Sequence, residues 1–262
     1  MVVRDGPHGS SPLEVLMLRR SLQADFVGGA YVFPGGAVDP LDAGPRARGR
    51  CPERPGAVGA ALGTGPGALG HAVAAVRECF EEAGLLLARG PDGSPVSFAD
   101  PRVAQRFARH RAALNARERS FLDVCEAEGL ELAVDELHSF AHWITPEGAP
   151  RRYDTWFFVA AAPPGQSPAH DSAETISHLW VRPADALERH RAGEMELILP
   201  TIVNLQAIGR FARSADLLEA ASQEREIETV LPRVVADGDG VRLVLPGDPA
   251  YDPPAPGTSG NA

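Results

Sequence analysis

The sequence predicts an α/β or α+β sandwich rather than a barrel, and three observations carry that prediction. Strand-like and helix-like stretches are interleaved along the chain, the pattern of layered folds. The helix at 71–83 is apolar along one stripe only, so it needs a sheet to cover. Composition permits a large core: 44% of the 262 residues are hydrophobic and 23% charged, which suits one large domain with insertions.

Taken in order, "PLEVLMLRR" (12–20) reads as an apolar strand and "GGAYVFPGG" (28–36) as a short strand closed by a Pro-Gly-Gly turn. Residues 43–70 are mostly Gly, Pro and Ala with few large apolar side chains, which predicts a long surface loop. Helical periodicity returns in "HAVAAVRECFEEA" (71–83), where Ala72, Val73, Val76, Cys79, Phe80 and Ala83 form the stripe and Gly84 ends the helix. The stretch 101–129 reads as a helical insertion broken around 114–118. Strands follow at 137–145, 155–162 and 176–181, the second apolar enough to be central. A helix at 183–193 opens with Pro183, a helical extension covers 199–222, and short strands lie near 226–235 and 241–245. This is a single domain over 1–245, followed by a flexible Pro-rich tail at 246–262.

Bulk chemistry narrows the function. A net charge of −10 argues against nucleic acid and against an anionic membrane surface. All 25 basic residues are arginine, so lysine Schiff-base chemistry is excluded. Cys51, Cys79 and Cys125 form neither a disulfide framework nor a zinc pattern, which fits a reducing cytoplasm. No apolar run is long enough to span a bilayer, and the N-terminal stretch lacks the apolar region of a signal peptide. The glycine-rich stretch 56–70 lacks the P-loop pattern. A homodimer is left open.

The stretch "RECFEEAGLLL" (77–87) poses a problem that the fold alone does not solve. Glu78, Glu81 and Glu82 crowd the last turns of a helix, where the macrodipole disfavours anions by about 0.3–1 kcal/mol each. Glu78 and Glu82 also repel as a like-charged i,i+4 pair. A cation has to offset this, and two or three carboxylates on adjacent turns are a hard oxygen platform for Mg2+ or Mn2+. Arg77 can pair with Glu81 across one turn and fix its rotamer. The alternative is an ordinary solvated helix face.

Other charged groups carry less. Arg102, Arg106 and Arg109 make a helical stripe that reads as solvated more readily than as a phosphate site. Arg151 and Arg152 precede the central strand and either clamp a phosphate or pair with Asp154. His138 and His142, four apart on a strand, fit no metal-ligand pattern.

"RECFEEAGL" fits R-E-U-x-E-E-x-G-U with U a bulky apolar residue, and at this point the chain resembles the Nudix hydrolases, whose full signature is G-x5-E-x7-R-E-U-x-E-E-x-G-U. Gly36 matches the first glycine, and Asp42 stands where the family has glutamate; the segment 43–70 then interrupts the signature. No glutamate occupies the helix entrance, where counting back from Arg77 gives Leu69, and Asp39 and Asp42 are the two candidates to replace it. The interruption, "FPGG", "WITPE" (143–147) and "RRYDTWFF" (151–158) resemble the branch that includes the peroxisomal coenzyme A diphosphatases.

The resemblance implies a Nudix-type α/β/α sandwich with a mixed sheet and metal-dependent hydrolysis of a diphosphate in a nucleotide conjugate. Arg77, Glu78, Glu81 and Glu82 would be catalytic. Glu78, Glu81, Glu82 and Glu174 would hold Mg2+ or Mn2+, with Asp171 the weaker rival to Glu174. Gly35, Gly36, Arg151 and Arg152 would bind substrate. Coenzyme A or an acyl-coenzyme A is the leading substrate, ADP-ribose or a dinucleotide the runner-up. A Nudix fold kept as a ligand-binding module without turnover is the alternative class.

Overall fold

The computed structural model describes residues 1–6, 12–23, 28–52, 66–169, 175–223, 226–237 and 240–251. They fall into two compact units, the first of Met1–Phe140 with Phe158–Glu226, the second of Ala141–Phe157 with the chain from Ile227 onward. The sequence predicts one domain here; the division arises because the distal halves of two strands associate with the C-terminal segment.

The first unit is built around β2 (Leu13–Arg20), in which Leu13, Val15, Leu16, Met17 and Leu18 are all buried. A strand buried at successive positions is covered on both faces. One edge of β2 pairs antiparallel with β8 (Thr175–Val181), from Val15↔Val181 to Arg20↔Thr175. Its other edge takes β1 (Val2–Asp5) at Val3↔Val15, then β3 (Tyr31–Val32) at Leu18↔Val32. β1 also pairs in parallel with β7 (Asp154–Ala161), Val2↔Ala160, so the sheet is mixed as predicted. β1 is an addition to the sequence reading, as are the two-residue strands β4 (Ala88–Arg89) and β5 (Glu131–Leu132).

The described ends of the segment 43–70, residues 43–52 and 66–70, correct the loop prediction there. A 3₁₀ turn at Pro40–Ala43 leads into the short helix α1 (Pro45–Arg48), whose Ala47 is fully buried. The long helix α2 (Pro66–Ala83) starts five residues before the expected 71. Small residues misled the reading because here they permit close packing: a Cβ on Gly70 would lie 3.1 Å from the Cβ of Ala43. Residues 53–65 lie outside the described ones.

All six predicted stripe residues of α2 are buried. The 101–129 insertion is two helices, α3 (Pro101–Asn115) and α4 (Phe121–Glu128), with the break two residues later than the expected 114–118 and Ser120 capping the second through a reciprocal bond with Asp123. Aromatic contacts hold both on α2. Phe107 meets Phe80 edge-on with centroids 6.3 Å apart, and Phe121 lies 6.4 Å from Phe80. The predicted helix 183–193 is α5 (Pro183–Arg191). The predicted helix 199–222 is likewise two, α6 (Leu199–Ile208) and α7 (Ser214–Ser222), the latter opened by Asp5, which accepts the Ser214 amide at 2.7 Å. No helix among the described residues is long and apolar enough to cross a membrane.

In the second unit, the distal part of β6 (His138–Ile144) pairs in parallel with β9 (Thr229–Val230), His142↔Thr229. β10 (Arg233–Asp237) and β11 (Gly240–Val244) form a hairpin. His142 is structural, as the sequence favoured. Its ring stacks on Trp156 at 4.1 Å, and its nitrogens meet Thr229 Oγ1 at 2.8 Å and Asp154 Oδ1 at 2.6 Å. The flexible-tail prediction is corrected as far as Tyr251, which donates its hydroxyl to the Leu231 carbonyl at 2.8 Å and lies under Arg233. Residues 252–262 lie outside the described ones.

Candidate active site

The acidic helix α2 lies with its apolar stripe in the core and its charged turn at the first unit's surface. Arg77 organises that turn. Its Nε donates to Asp42 Oδ1 at 3.1 Å and its Nη2 to Asp42 Oδ2 at 2.9 Å, a fork-on-fork pair. Nη1 reaches Glu78 Oε1 at 2.8 Å and Glu81 Oε2 at 3.1 Å, and Nη2 also donates to the Ala37 carbonyl at 2.8 Å. The predicted Arg77–Glu81 pair is therefore present, inside a larger network than one helical turn could supply.

Asp42 is the carboxylate that joins this network. It is 2% exposed and accepts the Asp39 amide through Oδ2 at 2.8 Å. Asp39, by contrast, is exposed and spends Oδ1 on the Leu41 amide as the cap of the 3₁₀ turn. Of the two sequence candidates for the missing glutamate, geometry brings Asp42 to Arg77, although 35 residues separate them. The interrupted signature is closed in space.

The Pro-Gly-Gly turn is the third part. The Gly35 amide donates to Glu82 Oε2 at 2.9 Å, and Glu82 is only 6% exposed. Gly36 lies so close to α2 that a Cβ there would fall 2.5 Å from the Glu78 carboxyl carbon, so any side chain would displace that carboxylate. Both glycines thus sit against the acidic helix.

Electrostatics follow from burial. Desolvation works against a charged Arg77, yet Asp42, Glu78 and Glu81 outweigh it and hold its pKa above the usual guanidinium value. At Glu81 desolvation prevails: it raises the pKa despite Arg77, and neighbouring Glu78 adds to the rise. A carboxylate poised in this way has more affinity for a proton than an exposed one.

The helix exit explains how three carboxylates are tolerated there. Gly84, with φ 69°, ends α2 in a left-handed cap, its amide bonded to the Phe80 carbonyl at 3.0 Å. Arg111 of α3 donates Nε to the Glu81 carbonyl at 2.9 Å and Nη2 to the Glu82 carbonyl at 2.8 Å, and Asn115 Nδ2 reaches the Glu81 carbonyl at 3.4 Å. Arg111, placed by the 101–129 insertion, thus puts a cation at this exit in addition to Arg77, which meets the Glu78 and Glu81 carboxylates themselves.

The stripe Arg102, Arg106 and Arg109 is exposed, in line with the solvated face the sequence predicts, with Arg106 bonded to Glu128 at 3.1 Å; Arg111 lies outside that stripe and is not among the residues the sequence singles out. The signal for Arg111 was its position: it interrupts the buried face between Phe107 and Leu114. Arg151 and Arg152 belong to the second unit and are exposed; Arg152 Nε donates to the Thr145 carbonyl at 3.1 Å, and Asp154 takes His142. Glu174 and Asp171 lie outside the described residues.

Comparison with known proteins joins these observations. The family model described as NUDT19 Nudix domain matches residues 58–208. The chain belongs to the Nudix hydrolase family, in its NUDT19 branch. Among its relatives, the acyl-coenzyme A diphosphatase NUDT19 of Gallus gallus is 30% identical over 94% of this chain and 74% of its own length. The Homo sapiens protein of that name is 29% identical over the same shares. A NUDIX hydrolase crystal structure from Alicyclobacillus acidocaldarius superposes with a TM-score of 0.67 at 30% identity, covering 84% of this Nudix chain and 93% of that one. The α/β Nudix fold and a hydrolase are thereby established.

Proposed function

We propose that this chain is a divalent-metal-dependent diphosphatase that hydrolyses the diphosphate of coenzyme A or of an acyl-coenzyme A. The observation that carries this reading is the intact acidic cluster, with Asp42 completing the signature across its interruption. The names of the relatives support coenzyme A conjugates as the substrate class.

The donor set fits a hard cation: Glu78, Glu81 and Glu82 offer only carboxylate oxygens, within two turns of one rigid helix. No ready-made group of three or more such ligands is assembled among the described residues, and Glu174, the fourth proposed ligand, is outside them. Once bound, Mg2+ or Mn2+ supplies neutralisation of the diphosphate and a lowered pKa for water. The protein's own part is to hold the carboxylates. Arg77 fixes Glu78 and Glu81, the Gly35 amide fixes Glu82, and Glu81 would either join the metal's ligands or orient the attacking water.

The test is hydrolysis of coenzyme A, dephospho-coenzyme A, ADP-ribose, NADH and nucleoside triphosphates with Mg2+ or Mn2+. Fastest turnover on coenzyme A conjugates is expected; preference for ADP-ribose or NADH would replace the substrate, and no turnover on any would favour a binding module. Repeating the coenzyme A and dephospho-coenzyme A arms with Arg151→Ala/Arg152→Ala tests whether that pair reads the 3′-phosphate.

A further inference from the structure

Where α2 ends, its backbone needs partners that the helix cannot provide. The carbonyls of Glu81 and Glu82 would ordinarily accept the amides of Leu85 and Leu86, four residues on. Those amides go elsewhere: Leu85 donates to the Cys79 carbonyl at 3.3 Å and Leu86 to Gln166 Oε1 at 2.8 Å. The two carbonyls left over belong to the residues whose side chains form the proposed metal platform. Arg111 meets both, with two donors of one rigid guanidinium at 2.9 and 2.8 Å. Packing holds it there. Arg111 is one helical turn beyond Phe107, which is anchored on Phe80 of α2, and a Cβ on Gly84 would come within 3.0 Å of Arg111 Nη1.

We infer that Arg111 is a positioning residue for the reaction: it sets the last turn of the acidic helix so that Glu81 and Glu82 present their carboxylates to the metal. Two effects act together. The forked bonds fix the backbone from which both side chains depart, and the positive charge opposes the negative end of the helix dipole beside them. The second makes the exit of α2 tolerate three anions before any metal arrives. The inference rests on the proposed metal-dependent function, and it assigns to the 101–129 insertion a part in that site.

Binding of Mn2+ without substrate, followed by electron paramagnetic resonance or calorimetry, tests it in wild type, Arg111→Met and Arg111→Lys, with kcat and KM measured alongside on whichever substrate the wild type hydrolyses. Arg111→Met is expected to weaken Mn2+ binding by about tenfold and to lower kcat, while substrate KM changes little. Arg111→Lys, which keeps the charge and loses the fork, should recover part of both. A wild-type Mn2+ constant in Arg111→Met, with only a lowered melting temperature, would overturn the inference and leave a merely structural arginine. Should Arg111→Met fail to fold, Arg111→Lys decides, since an unchanged Mn2+ constant and kcat there would equally overturn it. A wild-type protein that neither binds Mn2+ nor hydrolyses any diphosphate would bring down the functional reading, and this inference with it.

Discussion

Arg46 and Arg77 are bound by carboxylates in much the same way and differ in what surrounds them. Arg46 pairs with Asp123 at 2.7 Å and Glu126 at 2.9 Å, with all three side chains 42–45% exposed. Arg77 pairs with Asp42 at 2.9 Å, and those two side chains are 13% and 3% exposed. Both links tie the segment after the Pro-Gly-Gly turn to a helix. In water the attraction of an exposed pair is screened and offset by side-chain entropy. Around Arg77 water is largely excluded, so each group depends on its partners. The same residue types are ornament at one place and structure at the other.

The largest effect should come where that dependence meets chemistry. Glu82→Gln keeps an acceptor for the Gly35 amide, removes a proposed metal ligand, and relieves repulsion with Glu78. Loss of several kcal/mol of charge stabilisation would slow turnover more than about a hundredfold, with stability unchanged or slightly improved. Turnover near wild type at saturating Mg2+ would contradict the metal platform.

Asp42→Ala should cost stability as well as activity. Removing one partner of a buried pair costs about 3–5 kcal/mol, and the low end is expected because Glu78 and Glu81 still face Arg77. Urea unfolding measures it; a loss as small as that of an exposed pair would erase the distinction between the two arginines.

Glu81 sharpens the contrast through pH. Its folded pKa is raised, first by desolvation, so the native state holds its proton more tightly than the unfolded chain does. Its contribution is therefore most favourable below the unfolded carboxylate pKa and declines as pH rises through the raised folded value. Glu81→Gln should gain stability relative to wild type at neutral pH and lose that gain in acid. An equal difference at both pH values would show that desolvation does not govern this group.

The smallest effect is expected at the exposed cluster. Arg46→Ala should leave the urea midpoint and turnover unchanged within error, at low and at high salt. A clear loss that grows as salt is removed would show that this surface link matters after all.

What was legible in the sequence follows the same division between local and non-local causes. The acidic helix could be read because periodicity and the signature are local: every predicted stripe residue of α2 is buried, and Arg77 meets Glu81 as one turn requires. Asp42 was visible from its spacing to Gly36, but Asp39 stayed a rival, since spacing before an interruption does not show which carboxylate is brought back to Arg77. α1 was hidden by composition, because Gly and Ala serve close helix packing as readily as they serve loops. Arg111 was hidden by distance in the chain: its partners are backbone carbonyls 29 and 30 residues away, which no side-chain pattern announces. β1 was too short, four residues, to show a period.

The central claim, that carboxylates held on α2 hydrolyse a coenzyme A diphosphate through a divalent ion, has one direct measurement. Coenzyme A incubated with the wild-type protein and Mg2+ should yield adenosine 3′,5′-bisphosphate and 4′-phosphopantetheine, detected together by mass spectrometry. Formation should stop on EDTA treatment and resume when Mg2+ is restored. Product that keeps forming after exhaustive chelation, or none with either Mg2+ or Mn2+, would contradict the account.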